Sequence, residues 1–202
     1  LTMGLLTPAA RPHPIPETFV PPLENGDRLT RAEFERRYAA MPEHVRAELV
    51  EGVVIMASPV RHNTHGAQHA DLITWAGIYR AGTPGVLGGA DATVRLDLDN
   101  EPQPDVYLLI DPARGGNARI DENGYINGAP EFVAEVAAST VSQDLGPKLN
   151  AYRRNGVSEY LVSVAANGTG GVPGGVWMNA TSNPRMSLAK RTIPGRRVAS
   201  YG

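Results

Sequence analysis

Along HNTHGAQHADLITWAGIYRAG the positions His65, His69, Leu72, Ala76 and Tyr79 recur at spacings of four, three, four and three. That is the repeat of one helix face, and it predicts the main helix over about 64–80. Upstream, LTRAEFERRYAAMP opens with Thr30 and Glu33 at capping-box spacing, and Leu29 is placed to staple onto Phe34. A short helix from Arg31 to about Ala40, closed by Pro42, follows. The β-rich runs AELV and VVIM flank Glu51-Gly52 and predict a hairpin over roughly 46–57. ATVRLDLD alternates apolar and polar positions as a half-buried strand does, and DVYLLID begins another strand after the break at DNEPQP. The simplest arrangement makes these two antiparallel neighbours. EFVAEVA and SEYLVSV read as further strands. GPKLNAYRRNG between them reads as a helix with Pro147 in its first turn and Gly156 at its end. The order helix, hairpin, helix, strands, helix, strand is that of an α/β domain.

The flanks lack such periods. Residues 1–28 hold Pro8, Pro12, Pro14, Pro16, Pro21 and Pro22 and predict an extended, disordered arm. Residues 167–202 form a Gly-, Pro- and Arg-rich segment whose glycines lack the GK[ST] ending of a phosphate-binding loop. One folded domain is therefore expected over 29–166. The chain of 202 residues, 42% hydrophobic and 20% charged, has the size and composition for one such core. There is no cysteine, which excludes disulfides, thiolate metal sites and a cysteine nucleophile, so any metal must be held by Asp, Glu or His. The net charge of −2 provides no global positive field, so a nucleic-acid partner would need a local basic face. No apolar run approaches a membrane span and no charged start with an apolar core precedes a cleavage site. A cytoplasmic protein without a membrane partner is expected.

Three charged residues stand in costly places. In FVAEV the side chains alternate, so Glu135 shares a strand face with Val133 and Ala137. A carboxylate there must reach a cleft, pair with a cation or bind a metal. Asp105 follows Pro102-Gln103-Pro104 and opens the apolar strand VYLLI; turn formation is the plainer reading and a fixed ligand the sharper one. Lys148 follows Pro147 in what reads as a first helical turn, where the macrodipole disfavours a cation by about 0.3–1 kcal/mol. Jointly, two carboxylates can hold Mg2+ and an ammonium beside them can orient or activate a water, as metal-assisted phosphodiester hydrolysis requires. Glu48, on the first hairpin strand, is a further acidic candidate.

These pieces resemble the Uma family, classed among restriction endonucleases of the PD-(D/E)XK nuclease superfamily. The matching segments are AELVEG (47–52), ASP followed by a histidine-containing helix (57–69), QPD (103–105), PEFVAEV (130–136), DLGPK (144–148), and Tyr152 with NGVSEYLV (155–162). Together they span about 30–163. The resemblance implies a mixed β-sheet flanked by helices, a metal-binding pair of Asp105 and Glu135, and Glu48 as an accessory acid. It also implies that Lys148 is the family's lysine moved onto the following helix, because the usual strand position holds Ala137. It implies further strands after EYLV, where this chain enters its atypical segment.

His65 and His69 have the i, i+4 spacing of zinc sites, and His62 could share their face, but the Glu of HExxH is missing. Cleft or hydrogen-bonded histidines are the simpler expectation, with His65 a candidate substrate contact. Arg153 and Arg154 are candidate phosphate contacts, as are Lys190, Arg191, Arg196 and Arg197, although solvated charges are the plainer reading. The resulting expectation is an endonuclease that hydrolyses DNA with Mg2+ or Mn2+ through Glu48, Asp105, Glu135 and Lys148. A homodimer would suit the cutting of both strands. The alternative is a non-catalytic nucleic-acid-binding or assembly module that keeps the fold.

Overall fold

The computed structural model describes residues 19–57, 61–164, 174–179 and 198–199. Helix α1 (Arg31–Tyr38) is capped by Thr30, whose hydroxyl accepts the Glu33 N–H at 3.4 Å. It lays Phe34 onto a hairpin of β1 (Ala47–Val50) and β2 (Val53–Met56). The hairpin loop places Glu51 at φ 52° and Gly52 at φ 71°, the doubly left-handed turn that matches strand twist. A wide π-helical turn at His62–Gly66 then leads into α2 (Ala67–Gly82), followed by β3 (Val86–Gly89), β4 (Val94–Arg95) and β5 (Val106–Ile110). After β6 (Arg119–Ile120), β7 (Ile126–Asn127) and β8 (Phe132–Ala137) the chain turns helical, as α3 (Val141–Gln143), a second π turn (Asp144–Lys148) and α4 (Leu149–Asn155). The described chain ends with β9 (Glu159–Val164), β10 (Gly174–Asn179) and β11 (Val198–Ala199).

The main sheet has the order β11-β10-β9-β8-β5-β3. β8 runs parallel to β9 and antiparallel to β5, so the sheet is mixed, as the α/β expectation requires. Every residue of β8 is buried, because α2 covers one face and α4 the other. Leu72 and Ala76 of α2 pack on Val106, Leu108, Phe132, Ala134, Val136 and Leu161. On the opposite face Val133 and Ala137 meet Tyr152, Tyr160 and Val162. Glu135 lies on that second face, opposite Val162 in register, and so beside the helix that carries Lys148.

Four sequence expectations change. ATVRLDLD is not the neighbour of β5: only Val94–Arg95 pairs, parallel to β7, in a small separate sheet. The antiparallel neighbours of β5 are β8 and, on the outer side, β3, from the glycine-rich stretch TPGVLGG. Gly88 explains this, since a Cβ there would come 2.6 Å from the Leu108 side chain and 2.7 Å from the Tyr107 carbonyl. The close approach demands glycine, and glycine hides the strand. Second, Pro147 is not in a first helical turn. The helical run begins at Val141, and Pro147 sits inside the wide turn. Lys148 therefore stands mid-run, and its partners rather than a macrodipole penalty set its surroundings. Third, part of the expected arm, residues 23–28, packs on the domain: Leu23 is buried and the Gly26 N–H donates to the Val54 carbonyl at 2.8 Å. Fourth, β10 pairs along the whole of β9, so part of the atypical segment extends the sheet. Residues 1–18, 58–60, 165–173, 180–197 and 200–202, including part of the ASP segment and Lys190, Arg191, Arg196 and Arg197, lie outside the described residues. Among those described, no helix is long and apolar enough to cross a membrane.

Candidate active site

β1, β8 and the helical run 141–155 converge on one buried ammonium. Lys148 Nζ lies 2.9 Å from Glu48 Oε2, 3.1 Å from Glu135 Oε1 and 3.9 Å from Asp144 Oδ1. The Tyr152 hydroxyl, one helical turn on, donates to the same Glu135 oxygen at 2.9 Å. Glu48 is held from behind by the Gln103 N–H at 2.6 Å, and Asp144 accepts the Thr140 hydroxyl at 2.6 Å. The proline bracket therefore serves the site twice, since Gln103 orients Glu48 and the next acidic residue is Asp105.

Asp105 anchors the other half. Its Oδ2 accepts the Val136 N–H at 2.6 Å, which ties the start of β5 to β8. Its Oδ1 lies 3.2 Å from His65 Nε2, and its carbonyl 2.8 Å from His69 Nε2. The two imidazoles meet edge to face with centroids 5.3 Å apart, so the helical stripe aims both histidines at Asp105. Asp91 joins them from the β3–β4 loop: its N–H donates to the Pro104 carbonyl at 3.1 Å and its Oδ1 lies 3.9 Å from His69 Nε2. Donor atoms of His69, Asp91 and Asp105 all lie within 4.8 Å of one another.

Electrostatics divides these groups. Burial lifts the Glu135 carboxyl well above the usual carboxylate range; the Lys148 ammonium pulls it back, and Asp105, Glu48 and Asp144 push it up again. Burial also opposes the charge of Lys148, but Glu135, Glu48 and Asp144 outweigh it and hold the amine protonated, above its ordinary value. For Asp105 burial is overcome by the His65 hydrogen bond and the Val136 N–H, so the group stays ionised below its usual value. Burial pushes Asp144 and Tyr152 up. His65 is raised, chiefly by its hydrogen bond to Asp105.

The structure thus brings Glu48, Asp105, Glu135, Lys148 and His65 into one contiguous network. His62 is exposed. Arg153 and Arg154 are exposed at the far end of α4, where Arg154 pairs with Glu51 at 3.0 Å and Asp97 at 3.4 Å. Sequence reasoning missed Asp91 and Asp144. Asp91 had one signal, an acidic residue at the end of Gly88-Gly89-Ala90, where it adopts φ 56°. Asp144 had only its place in DLGPK.

Residues 31–168 match the sequence profile of Uma2, described as “putative restriction endonuclease”. The chain belongs to the Uma2 family. The matched segment contains Glu48, Asp105, Glu135 and Lys148 and stops short of β10, so the outer sheet strands of this Uma2 chain lie beyond it. Uma2 is by its description a nuclease family. The crystal structure of “a putative nuclease belonging to DUF820” from Anabaena variabilis ATCC 29413 is similar at 17% identity. The likeness covers 63% of this chain and 71% of that one, with a TM-score of 0.47. No curated protein matches the Uma2 chain.

Proposed function

We propose that this Uma2 chain is an endonuclease that hydrolyses DNA phosphodiester bonds with Mg2+ or Mn2+. The observation that carries the proposal is the buried Lys148 ammonium set between Glu48 and Glu135, next to an ionised, backbone-anchored Asp105. The donor set fits a hard divalent cation: Asp105 and Glu135 offer carboxylate oxygens from two hydrogen-bonded strands, and like charges crowd Glu135 where a cation would relieve them. Such an ion, when bound, supplies Lewis acidity and a more acidic water.

The chain's own residues do the rest. Lys148 is held protonated, so it donates hydrogen bonds to a water or phosphate oxygen and stabilises charge developing there; it does not take the water's proton. Tyr152 and Lys148 together fix the rotamer of Glu135, and Gln103 fixes that of Glu48. On this reading His65, which lies against the Asp105 carboxylate, contacts the scissile phosphate.

The test is incubation of purified protein with supercoiled, linear and single-stranded DNA in Mg2+ or Mn2+. Cleavage that disappears in folded Glu135→Gln supports the proposal. Intact DNA with a folded wild type overturns it. A second reading, a non-catalytic nucleic-acid-binding or assembly module, draws on the fact that Lys148 and Tyr152 already occupy Glu135 Oε1. That module would hold DNA equally well in chelator, whereas the nuclease would not cut there.

A further inference from the structure

We propose that His69, Asp91 and Asp105 form a second divalent-cation site, suited to a first-row ion such as Mn2+, where the start of α2 and the β3–β4 loop meet Asp105. It shares Asp105 with the reading above but does not depend on hydrolysis.

The donors come from three places in the fold. His69 lies on the first turns of α2, Asp91 on the β3–β4 loop and Asp105 before β5. Two unrelated contacts hold them together. The Asp91 N–H is fixed by Pro104, next to Asp105, and the Asp105 carboxylate is fixed by the β8 backbone. Backbone hydrogen bonds therefore preorganise Asp91 and Asp105, and His69 is held beside them by its own bond to the Asp105 carbonyl.

Two of their separations are those of a coordination shell. Ligands around an octahedral ion at about 2.1 Å stand about 3 Å apart when adjacent and about 4.2 Å apart when opposite. His69 Nε2 lies 2.8 Å from the Asp105 carbonyl oxygen and 3.9 Å from Asp91 Oδ1. Both values fit ligands of one ion, and the carbonyl would be a fourth donor. Here the Nε2–H donates to that carbonyl. A cation replaces this proton, and the ring takes its one proton on Nδ1 instead, so the imidazole stays neutral.

The chemistry selects the ion. One imidazole nitrogen with carboxylate and carbonyl oxygens favours borderline ions over Mg2+ or Ca2+, which prefer an all-oxygen shell. Charge favours a cation too: Asp105 repels Asp91, and among the described residues no ion pair joins the Arg46 guanidinium, which Asp91 senses, to either carboxylate. Because the Asp91 side chain is 62% exposed, an ion can enter from solvent and keep water ligands.

The experiment is Mn2+ titration of the full chain by calorimetry, with pulsed EPR to detect imidazole nitrogen coupled to bound Mn2+. Wild type should show nitrogen coupling. Asp91→Asn, an exposed and fold-neutral change, should weaken that Mn2+ affinity about tenfold or more with no change in the melting temperature of the metal-free chain, and His69→Gln should abolish the coupling. Glu135→Gln should keep the coupled ion. Absence of nitrogen coupling in wild type, or unchanged affinity in Asp91→Asn, overturns the site. If Glu135→Gln loses DNA cleavage but Asp91→Asn binds Mn2+ as wild type does, the nuclease reading stands and this one falls. A nitrogen-coupled ion in a folded protein that never cuts DNA upholds this site and overturns the nuclease reading.

Discussion

Glu131 and Glu135 are four residues apart around one strand, and each is 4% exposed, yet they meet burial in opposite ways. Glu131 accepts the Ile110 N–H on one oxygen at 2.8 Å and the Asn117 N–H on the other at 2.9 Å. Both bonds come from backbone, and they stitch the end of β5 to the loop that follows. Glu135 receives its bonds from the Lys148 and Tyr152 side chains and stands among Glu48, Asp105 and Asp144. Burial alone therefore does not mark a carboxylate as chemical. A backbone donor cannot move aside, whereas a side-chain donor can yield its place to an ion or a substrate.

Removing the shared cation should have the largest effect. Lys148→Met leaves the surrounding carboxylates buried without an ammonium and should destabilise the fold by about 3–5 kcal/mol. Urea unfolding with and without Mn2+ checks it, and added Mn2+ should restore part of the loss. Equal stability with and without the ammonium would make the cluster no more than a second version of Glu131. Next comes Glu131→Ala, which orphans two buried N–H groups and should cost about 3 kcal/mol by the same assay. Mn2+ binding should be unchanged, in contrast to any change at Glu135.

A third buried carboxyl sharpens the contrast through pH. Glu101 is 3% exposed, and burial, then its hydrogen bond to Glu35, raises its pKa from 4.5 to about 8. Arg95, 3.9 Å from Glu101 Oε2, pulls the other way without winning. The folded state thus holds a proton that the unfolded chain releases near 4.5. Stability should be full below about pH 4.5 and fall as pH rises from there through 8, by several kcal/mol. Glu101→Gln should flatten that part of the profile in melts between about pH 5 and 9. The smallest effect belongs to Arg154→Ala, whose half-exposed pairs with Glu51 and Asp97 should be worth under about 1 kcal/mol. Unchanged DNA affinity in that variant would mark it as a partner of the hairpin turn, while a clear loss would make it a phosphate contact.

What could be read in advance followed local rules. The alternation of FVAEV put Glu135 on the face that meets α4, Glu51-Gly52 made a hairpin, and the stripe from His65 to Tyr79 made a helix whose histidines share one side. What could not be read depended on partners distant in sequence. β3 is a strand because Gly88 lets it lie against Leu108, and its composition conceals that. Asp91 becomes a neighbour of His69 only through the Pro104 carbonyl. Lys148 looked like a misplaced cation at a helix start because the turns before Pro147 carry no strong helical pattern, and the wide turn that admits a proline leaves no periodic trace. β10 lies in a glycine-rich stretch whose strand character is realised only on pairing with β9.

The two wide turns, His62–Gly66 and Asp144–Lys148, each contribute to the site, one through His65 and the other through Lys148. A π turn accommodates one residue more than an α-helical turn. Deleting that residue would tighten the ladder and rotate the following side chains by about 100° about the helix axis. Tyr152 would swing off Glu135, and the stripe of α2 would turn away from the sheet. At these places the count of residues is a stricter requirement than their identity. Among functional relatives of this chain, substitutions within 62–66 and 144–148 should outnumber single-residue gaps.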